Sequence, residues 1–151
     1  MPTSPSITLE PVNRANFRAL VDLKVEPDQE TFVATNVFPI AQAKVEPTWT
    51  PMAVKAGGEV IGFAMYGQDV ESGNWWIIRV MIGVAHQGRG FGDALMVGLI
   101  ARLAEREGAA EIRLGCVLGN DRARRLYERH GFHDIGEVEE NEAIMLLRIV
   151  S

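Results

Sequence analysis

The sequence predicts one α/β domain in which helices cover both faces of a mixed β-sheet. Segments with period-two apolar alternation predict strands, and longer segments with apolar residues three and four apart predict helices. The near-continuous apolar run Trp75–Val84 is typical of a central strand that is covered on both faces. With 151 residues and neither repeats nor linkers, residues 1–151 are expected to form a single domain with its own core.

Composition and charge exclude several classes of function. A net charge of −5 does not suit a general nucleic-acid binder, which carries a basic face, and it favours a small ligand that can be cationic. The single Cys116 cannot form an intrachain disulfide, and the three histidines show no spacing typical of metal ligands. The first residues lack the layout of a signal peptide, and no apolar run approaches the roughly 20 residues of a membrane span. We therefore expect a cytoplasmic protein that contains no metal. We also expect it to bind neither nucleic acid nor a membrane.

The chain begins with a predicted strand and helix. Ser6–Val12 alternates apolar and polar residues, and Pro11 limits the length of this strand. Asn13 is a typical N-cap residue for the helix that follows. The apolar face of that helix is expected to hold Phe17, Leu20, Val21 and Leu23.

The region from Lys24 to Trp49 predicts helical structure without clear boundaries. A second helical piece has Phe32 and Val33 as its apolar anchors. Ala41–Val45 is a candidate for a further helical turn.

From Met52 the apolar pattern has a period of two. Met52–Ala56 and Glu59–Gly67 predict two strands, and the intervening Gly57-Gly58 predicts a two-residue hairpin turn. A polar loop, Gln68–Asn74, then leads to the central strand Trp75–Val84.

The second half predicts two helices and three strands. The first helix begins after Gly90 and ends at Gly108, and the second is capped by Asn120 and runs to about His130. The predicted strands are Ala110–Val117, Phe132–Val138 and Ala143–Val150.

A glycine-rich loop between the central strand and the following helix is the main candidate site. Such a loop forms an anion site, because free backbone N–H groups and the positive end of the helix dipole converge there. A Walker loop would need Gly-Lys-Ser or Gly-Lys-Thr, which is not present. A dinucleotide fingerprint would need a third glycine at position 93 or 95, where this chain has Asp93 and Leu95. Neither nucleotide motif fits, which leaves another kind of phosphate loop or a tight turn whose glycines serve packing alone.

Two motifs resemble those of a known superfamily. The loop fits Gln-x-x-Gly-x-Gly with Gln87, Gly90 and Gly92, and it resembles the acetyl-CoA pyrophosphate loop of the GNAT superfamily of N-acetyltransferases. The stretch Asn120–Phe132 resembles the later GNAT pattern Asn-x-x-Ala-x-x-x-Tyr-x-x-x-Gly-Phe at every fixed position. The resemblance implies a mostly antiparallel sheet of about six to seven strands with splayed central strands, flanked by about four helices.

The resemblance also implies which residues contact acetyl-CoA, the acetyl donor. Tyr127 matches the tyrosine that gives a proton to the departing CoA thiolate, and Asn120 matches the asparagine beside the pantetheine arm. Glycines let the backbone approach phosphate oxygens, and Arg89 can add a charge-assisted contact. The expected acetyl-CoA contacts are Met81, Ile82, Val84, Gln87, Gly88, Arg89, Gly90, Phe91, Gly92, Asn120, Arg122 and Ala123.

A further resemblance concerns the acceptor. Leu23–Asn36, Gly62–Gly67 and Arg79–Ile82 resemble the bacterial spermine/spermidine (diamine) N-acetyltransferases. This implies direct transfer of the acetyl group to a primary amine of a polyamine in a ternary complex, and a homodimer. Two alternatives stay open: another amine acceptor, such as an amino acid, an aminoglycoside-like amine or a peptide N-terminus, or a non-catalytic acyl-CoA binding module.

Carboxylates and aromatic faces are the groups expected around a polyamine, because it carries several positive charges. The substrate-binding candidates are Glu26, Glu30 and Trp76. The attacking amine must also lose a proton, since an alkylammonium is almost wholly protonated near pH 7.

Relatives commonly carry Asp after the Arg-x-x-Ile run, where this chain has Gly83. We therefore expect Glu30, Glu26 or a water relay, in that order, to take the proton, and His86 to be a cap or surface residue. Gly83 itself predicts a β-bulge that splays the central strand from its neighbour. The backbone N–H near Ile82 is the predicted donor to the oxyanion.

Overall fold

The computed structural model describes residues 5–24 and 36–149. These residues form one seven-stranded sheet, in the strand order β1-β2-β3-β4-β5-β7-β6, and four α-helices. Their bounds are β1 Thr8–Pro11, α1 Phe17–Asp22, α2 Val37–Val45, β2 Trp49–Ala56, β3 Glu59–Gln68, β4 Trp75–Ile82, α3 Phe91–Glu105, β5 Glu111–Val117, α4 Asp121–Arg129, β6 His133–Glu139 and β7 Glu142–Arg148. Of the neighbouring strands only β4 and β5 are parallel, so the predicted mixed, mostly antiparallel sheet is confirmed. Within the described ranges, no helix is long and apolar enough to cross a bilayer.

Apolar layers cover both faces of the sheet, as the composition of the central strand predicts. The smaller layer lies beneath α1 and α2 and contains Leu20, Ala53, Phe63 and Met65. The larger layer is built around α3, whose fully buried side chains are Leu95, Met96, Leu99 and Leu103. Each such side chain contributes about 1.5–3 kcal/mol by leaving water. This layer therefore fixes α3 on the sheet, and with it the loop at the start of α3.

The strands β4 and β5 separate halfway along β4. They pair only over Trp75–Ile77, whereas β4 stays paired with β3 as far as Ile82. The register of β3 against β4 shifts by one residue at Ile78, which is the extra residue of a β-bulge. The predicted splay of the central strands is confirmed, but its assignment to a bulge at Gly83 is wrong.

Gly83 lies just beyond β4 with φ −59° and ψ 148°. Its N–H donates to the carbonyl oxygen of Ile61 at 2.8 Å, and a Cβ there would lie 2.8 Å from Cδ2 of Leu23. The small residue thus permits close packing of the end of α1 against the end of β4. The residues Val84–His86 then form a short 3-10 helix, so β4 ends two residues earlier than predicted.

The start of α1 also differs from the prediction. The side chain of Asn13 accepts two backbone N–H groups, at 2.8 and 3.0 Å, and forms a turn before the helix. The helix begins at Phe17 after Asn16, and Phe17 is 43% exposed although it was expected to face the core. The helical piece predicted around Phe32 and Val33 lies outside the described residues.

Candidate functional site

The gap left by the separation of β4 and β5 continues as a cavity between β4, the glycine loop and α4. Its volume is about 420 Å³, which is within the range of small-molecule sites. Of the twelve predicted acetyl-CoA contacts, all but Val84 and Arg89 line this cavity, and Tyr127 lines it too. The two sequence motifs, which begin at Gln87 and Asn120, therefore meet at one place in the fold.

The glycine loop presents backbone N–H groups to the cavity. Gly88 has φ +77° and Gly90 has φ +83°, and residues with a side chain rarely adopt these backbone conformations. Gly90 occupies the N-cap position of α3, and the first helical hydrogen bond runs from the N–H of Ala94 to its carbonyl oxygen at 3.1 Å. The N–H groups of 91–93 consequently have no acceptor within the helix, and all three residues line the cavity. This arrangement is suited to an anion.

The side chain of Gln87 connects the loop to both of its neighbours. Its Nε2 donates to the carbonyl oxygen of Ile82 at 2.9 Å, and its Oε1 accepts from Nη1 of Arg122 at 3.2 Å. Gln87 thus holds the loop against the end of β4 and the start of α4. Gln87 also lies in the wall of the cavity, and its contact with acetyl-CoA stays a prediction, whereas this structural role was not foreseen.

Val84 and Arg89 lie beside the cavity without lining it. The N–H of Val84 donates to the carbonyl oxygen of Lys24 at 2.6 Å, which ties the short 3-10 helix to the end of α1. The guanidinium of Arg89 lies 5.2 Å from the ring centroid of Phe91, in a cation–π contact. Their predicted roles as acetyl-CoA contacts stay predictions.

The backbone of β4 also faces the gap. Because the N–H of Gly83 is bonded to β3, the alternation of an antiparallel pair directs the N–H groups of Val80 and Ile82 away from β3. On that side β5 no longer pairs with β4. An extended ligand in the gap can bond these groups as a neighbouring strand would.

The helix α4 places Asn120 and Tyr127 against the cavity. The Oδ1 of Asn120 accepts the N–H of Ala123 at 3.2 Å and so caps the helix, as predicted. Tyr127 is half-buried, and its ring packs edge-on against Phe132 at 6.4 Å. Burial raises the pKa of Tyr127, with smaller contributions from Cys116 and a nearby carboxylate. The hydroxyl therefore keeps its proton near neutral pH and can act as a hydrogen-bond donor.

Charged residues of α4 line the same cavity, and the sequence reasoning missed two of them. Arg122, Arg125 and Arg129 follow each other at intervals of three and four residues, which places them on one face of the helix. Arg129 bonds the carboxylate of Asp93 at 3.2 Å, and His130 bonds it at 2.8 Å. Burial favours a higher pKa for Asp93, but the His130 hydrogen bond and the charge of Arg129 outweigh it and lower the pKa. The spacing of the arginines in the sequence could have predicted that they lie on the same face of α4.

His86 belongs to the wall of the cavity. Its side chain is only 14% exposed, its ring packs edge-on against Phe91, and its Nε2 lies 3.7 Å from Oε1 of Glu59. His86 is therefore more buried than the expected surface position, while its expected role as a cap rather than as the proton acceptor stays a prediction. Its burial follows from the 3-10 turn after β4, which periodicity alone does not predict.

Trp76 is the one predicted acceptor residue that the structure describes, and it does not line the cavity. Glu26 and Glu30 lie outside the described residues. Trp76 lies near the start of β4, six residues before Ile82, which corresponds to roughly 20 Å along a strand. The substrate-binding roles of these residues stay predictions.

A buried polar cluster lies on the opposite face of β4 from the cavity. Asn36 accepts from Nε of Arg79 at 3.0 Å and donates to the sulfur of Met81 at 3.3 Å and to the carbonyl oxygen of Leu20 at 2.7 Å. Burial lowers the pKa of Arg79 to about 10, and its Nη2 has no hydrogen-bond partner among the described residues. The cluster joins α1, α2 and the part of β4 that lines the cavity.

Comparisons with known proteins agree with this geometry. A profile of the acetyltransferase (GNAT) family matches residues 15–132. The chain is 32% identical over 148 residues to the spermine/spermidine N(1)-acetyltransferase of Bacillus subtilis (strain 168), a match that covers 93% of this chain and 97% of that protein.

Solved structures show the same fold. The spermidine N-acetyltransferase from Vibrio cholerae in complex with CoA and spermine is 19% identical with a TM-score of 0.75, over 95% of this chain and 94% of that one. The PaiA N-acetyltransferase from Thermoplasma acidophilum in complex with coenzyme A is 14% identical with a TM-score of 0.73, over 95% of this chain and 99% of that one. Because the family profile spans most of the sequence, the chain belongs to the acetyltransferase (GNAT) family.

Proposed function

We propose that the protein transfers the acetyl group of acetyl-CoA to a primary amine, and that this amine is a polyamine such as spermine or spermidine. The observation that carries the proposal is a single cavity that joins the anion-binding start of α3, the unpaired backbone of β4 and the hydroxyl-bearing Tyr127. The polyamine preference is supported by the net charge of −5 and by the name of the Bacillus subtilis relative.

The described residues fit acetyl-CoA, which supplies an activated acetyl thioester. A Cβ built on Gly88 would meet no atom within 4 Å, so the space over this backbone is open to a ligand. We assign the N–H groups of 91–93 and the loop glycines to the pyrophosphate. The backbone of Val80 and Ile82, with Asn120 opposite, would hold the pantetheine arm.

The chemistry assigned to the chain needs no covalent intermediate on the protein. Cys116 is buried, and burial raises the pKa of its thiol, so it lacks the thiolate character of a nucleophile. Direct attack by the amine is the consistent alternative. A backbone N–H of β4 near Ile82 would stabilise negative charge on the acetyl oxygen, and Tyr127 would donate a proton to the leaving sulfur.

We assign the proton acceptor and the polyamine contacts to carboxylates of the region before Asn36 and to one tryptophan. Glu30, then Glu26, then a water relay are the ordered candidates for taking the proton from the amine. Glu26, Glu30 and Trp76 are the proposed polyamine contacts. A homodimer and a cytoplasmic location belong to the same proposal, and sedimentation analysis tests the former.

Thiol release from acetyl-CoA, measured with a panel of amines, tests the function. We expect the highest kcat/KM with spermine or spermidine and lower values with amino acids and aminoglycosides. Glu30→Gln should lower kcat/KM for the polyamine, whereas Glu107→Gln, at an exposed position after α3, should not. A higher kcat/KM for an aminoglycoside or an amino acid would overturn the polyamine assignment.

A further inference from the structure

One arginine at the cavity has no side-chain partner among the described residues. Arg122 bonds Gln87, and Arg129 bonds Asp93 at the start of α3. Arg124, which does not line the cavity, bonds Asp134 at 3.2 Å. Within residues 5–24 and 36–149, Arg125 makes neither an ion pair nor a side-chain hydrogen bond, although it lines the cavity and is exposed.

The packing of the next residue shows where Arg125 lies on α4. The neighbouring Leu126 packs on the first turn of α3, with its Cδ2 3.6 Å from the position of a Cβ on Gly92. Arg125, the residue before Leu126, lines the same cavity as the glycine loop and the first turn of α3. Its charge therefore belongs to the cavity that also holds the backbone N–H groups at the start of α3.

Because the protein is acidic, a ligand with several negative groups needs a positively charged side chain at the cavity. The protein carries a net charge of −5, and Asp93 adds a carboxylate within the cavity at the start of α3. Arg129 is already engaged in balancing that carboxylate. Of the three arginines that line the cavity, Arg125 is the one with no hydrogen bond or ion pair among the described residues, so it is available to a further negative group of a ligand.

We propose that Arg125 binds the 3′-phosphate of coenzyme A and makes the site prefer acetyl-CoA over its 3′-dephospho form. The inference rests on the proposed function, in which the loop holds the pyrophosphate. Coenzyme A carries one further phosphate, a monoester with exposed acceptor oxygens. A guanidinium that has no partner among the described residues matches such a group in charge and in bidentate geometry.

Calorimetric titration of CoA and 3′-dephospho-CoA into three proteins tests this. The wild type should bind CoA about tenfold or more tightly than 3′-dephospho-CoA. Arg125→Gln should lose that preference by weakening CoA binding alone. The control Arg106→Gln removes an exposed arginine at the other end of α3 and should keep the preference.

The outcomes separate this inference from the assignment of the cavity. Equal weakening of both ligands by Arg125→Gln would place the residue on the pyrophosphate and overturn the inference. An unchanged preference in Arg125→Gln would also overturn it. Failure of the wild type to bind either ligand would overturn the acetyl-CoA site itself. Circular dichroism of each variant shows whether the fold is retained.

Discussion

Replacing Gly88 with alanine separates ligand binding by the loop backbone from the contribution of the residue to folding. Gly88 has φ +77°, Gly108 has φ +70°, and a Cβ at either position would meet no other atom within 4 Å. Alanine in the left-handed region costs about 1–2 kcal/mol. Both variants should therefore lose similar stability, with a fall in Tm of roughly 2–8 °C for a domain of this size.

Only one of the two positions touches the cavity. Gly88 lines it, whereas Gly108 lies beyond the end of α3. A methyl group on Gly88 would occupy the space through which a phosphate approaches the backbone, and the loss of one charge-assisted hydrogen bond is worth about 1.5–3 kcal/mol. The Kd for acetyl-CoA should rise roughly 10- to 150-fold in Gly88→Ala and stay unchanged in Gly108→Ala.

Thermal unfolding and calorimetric titration of the two variants measure both quantities. Equal Kd values in Gly88→Ala and Gly108→Ala, with an equal fall in Tm, would refute the assignment of the loop to the pyrophosphate. A much larger fall in Tm for one variant would show that the matched backbone strain was misjudged.

Three other changes have expected outcomes. Tyr127→Phe should lower kcat by about 10²- to 10⁴-fold at an unchanged Kd for acetyl-CoA, and an unchanged kcat would remove Tyr127 from the mechanism. Asn120→Ala should destabilise the protein by about 1 kcal/mol through loss of the cap bond to Ala123, whereas Asn120→Asp should retain most of the stability; equal losses in denaturant unfolding would contradict the cap. The lowered pKa of Asp93 means that its stabilising contribution is present above about pH 4 and is lost as the pH falls through the folded-state pKa. The difference in Tm between the wild type and Asp93→Asn should therefore shrink on acidification from about pH 6 to about pH 3, and a constant difference would argue against this coupling.

Local signals explain why some elements were predictable. The start of α4 depends on a cap side chain, and Asn120 supplies it. The start of α3 depends on a left-handed residue, and Gly90 supplies it. Both signals are contained in a few consecutive residues, so the sequence alone was sufficient to locate them. The same holds for the Gly57-Gly58 hairpin turn, whose two glycines have φ +58° and φ +83°.

Features that depend on distant partners were not predictable in the same way. The bulge at Ile78 arises from the register of β4 against β3 and has no glycine or proline to mark it. Asn13 and Asn16 are both of a residue type that caps helices, but the side chain of Asn16 makes no cap bond and instead donates to Glu10 at 3.0 Å and to the backbone carbonyl of Pro11. The spacing of the α4 arginines was visible in the sequence. Which of them is free depends on the position of Asp93 after folding.

The function proposed for the cavity is transfer of an acetyl group from acetyl-CoA to an amine of a polyamine. The most direct test is incubation with acetyl-CoA labelled in its acetyl group and spermidine, followed by mass spectrometry of the small molecules and of the protein. We predict labelled N-acetylspermidine in amounts equal to the free CoA released, and no label on the protein. Binding of acetyl-CoA without labelled product from spermidine or any other amine would contradict the claim and favour a binding module, and label retained on the protein would contradict direct attack.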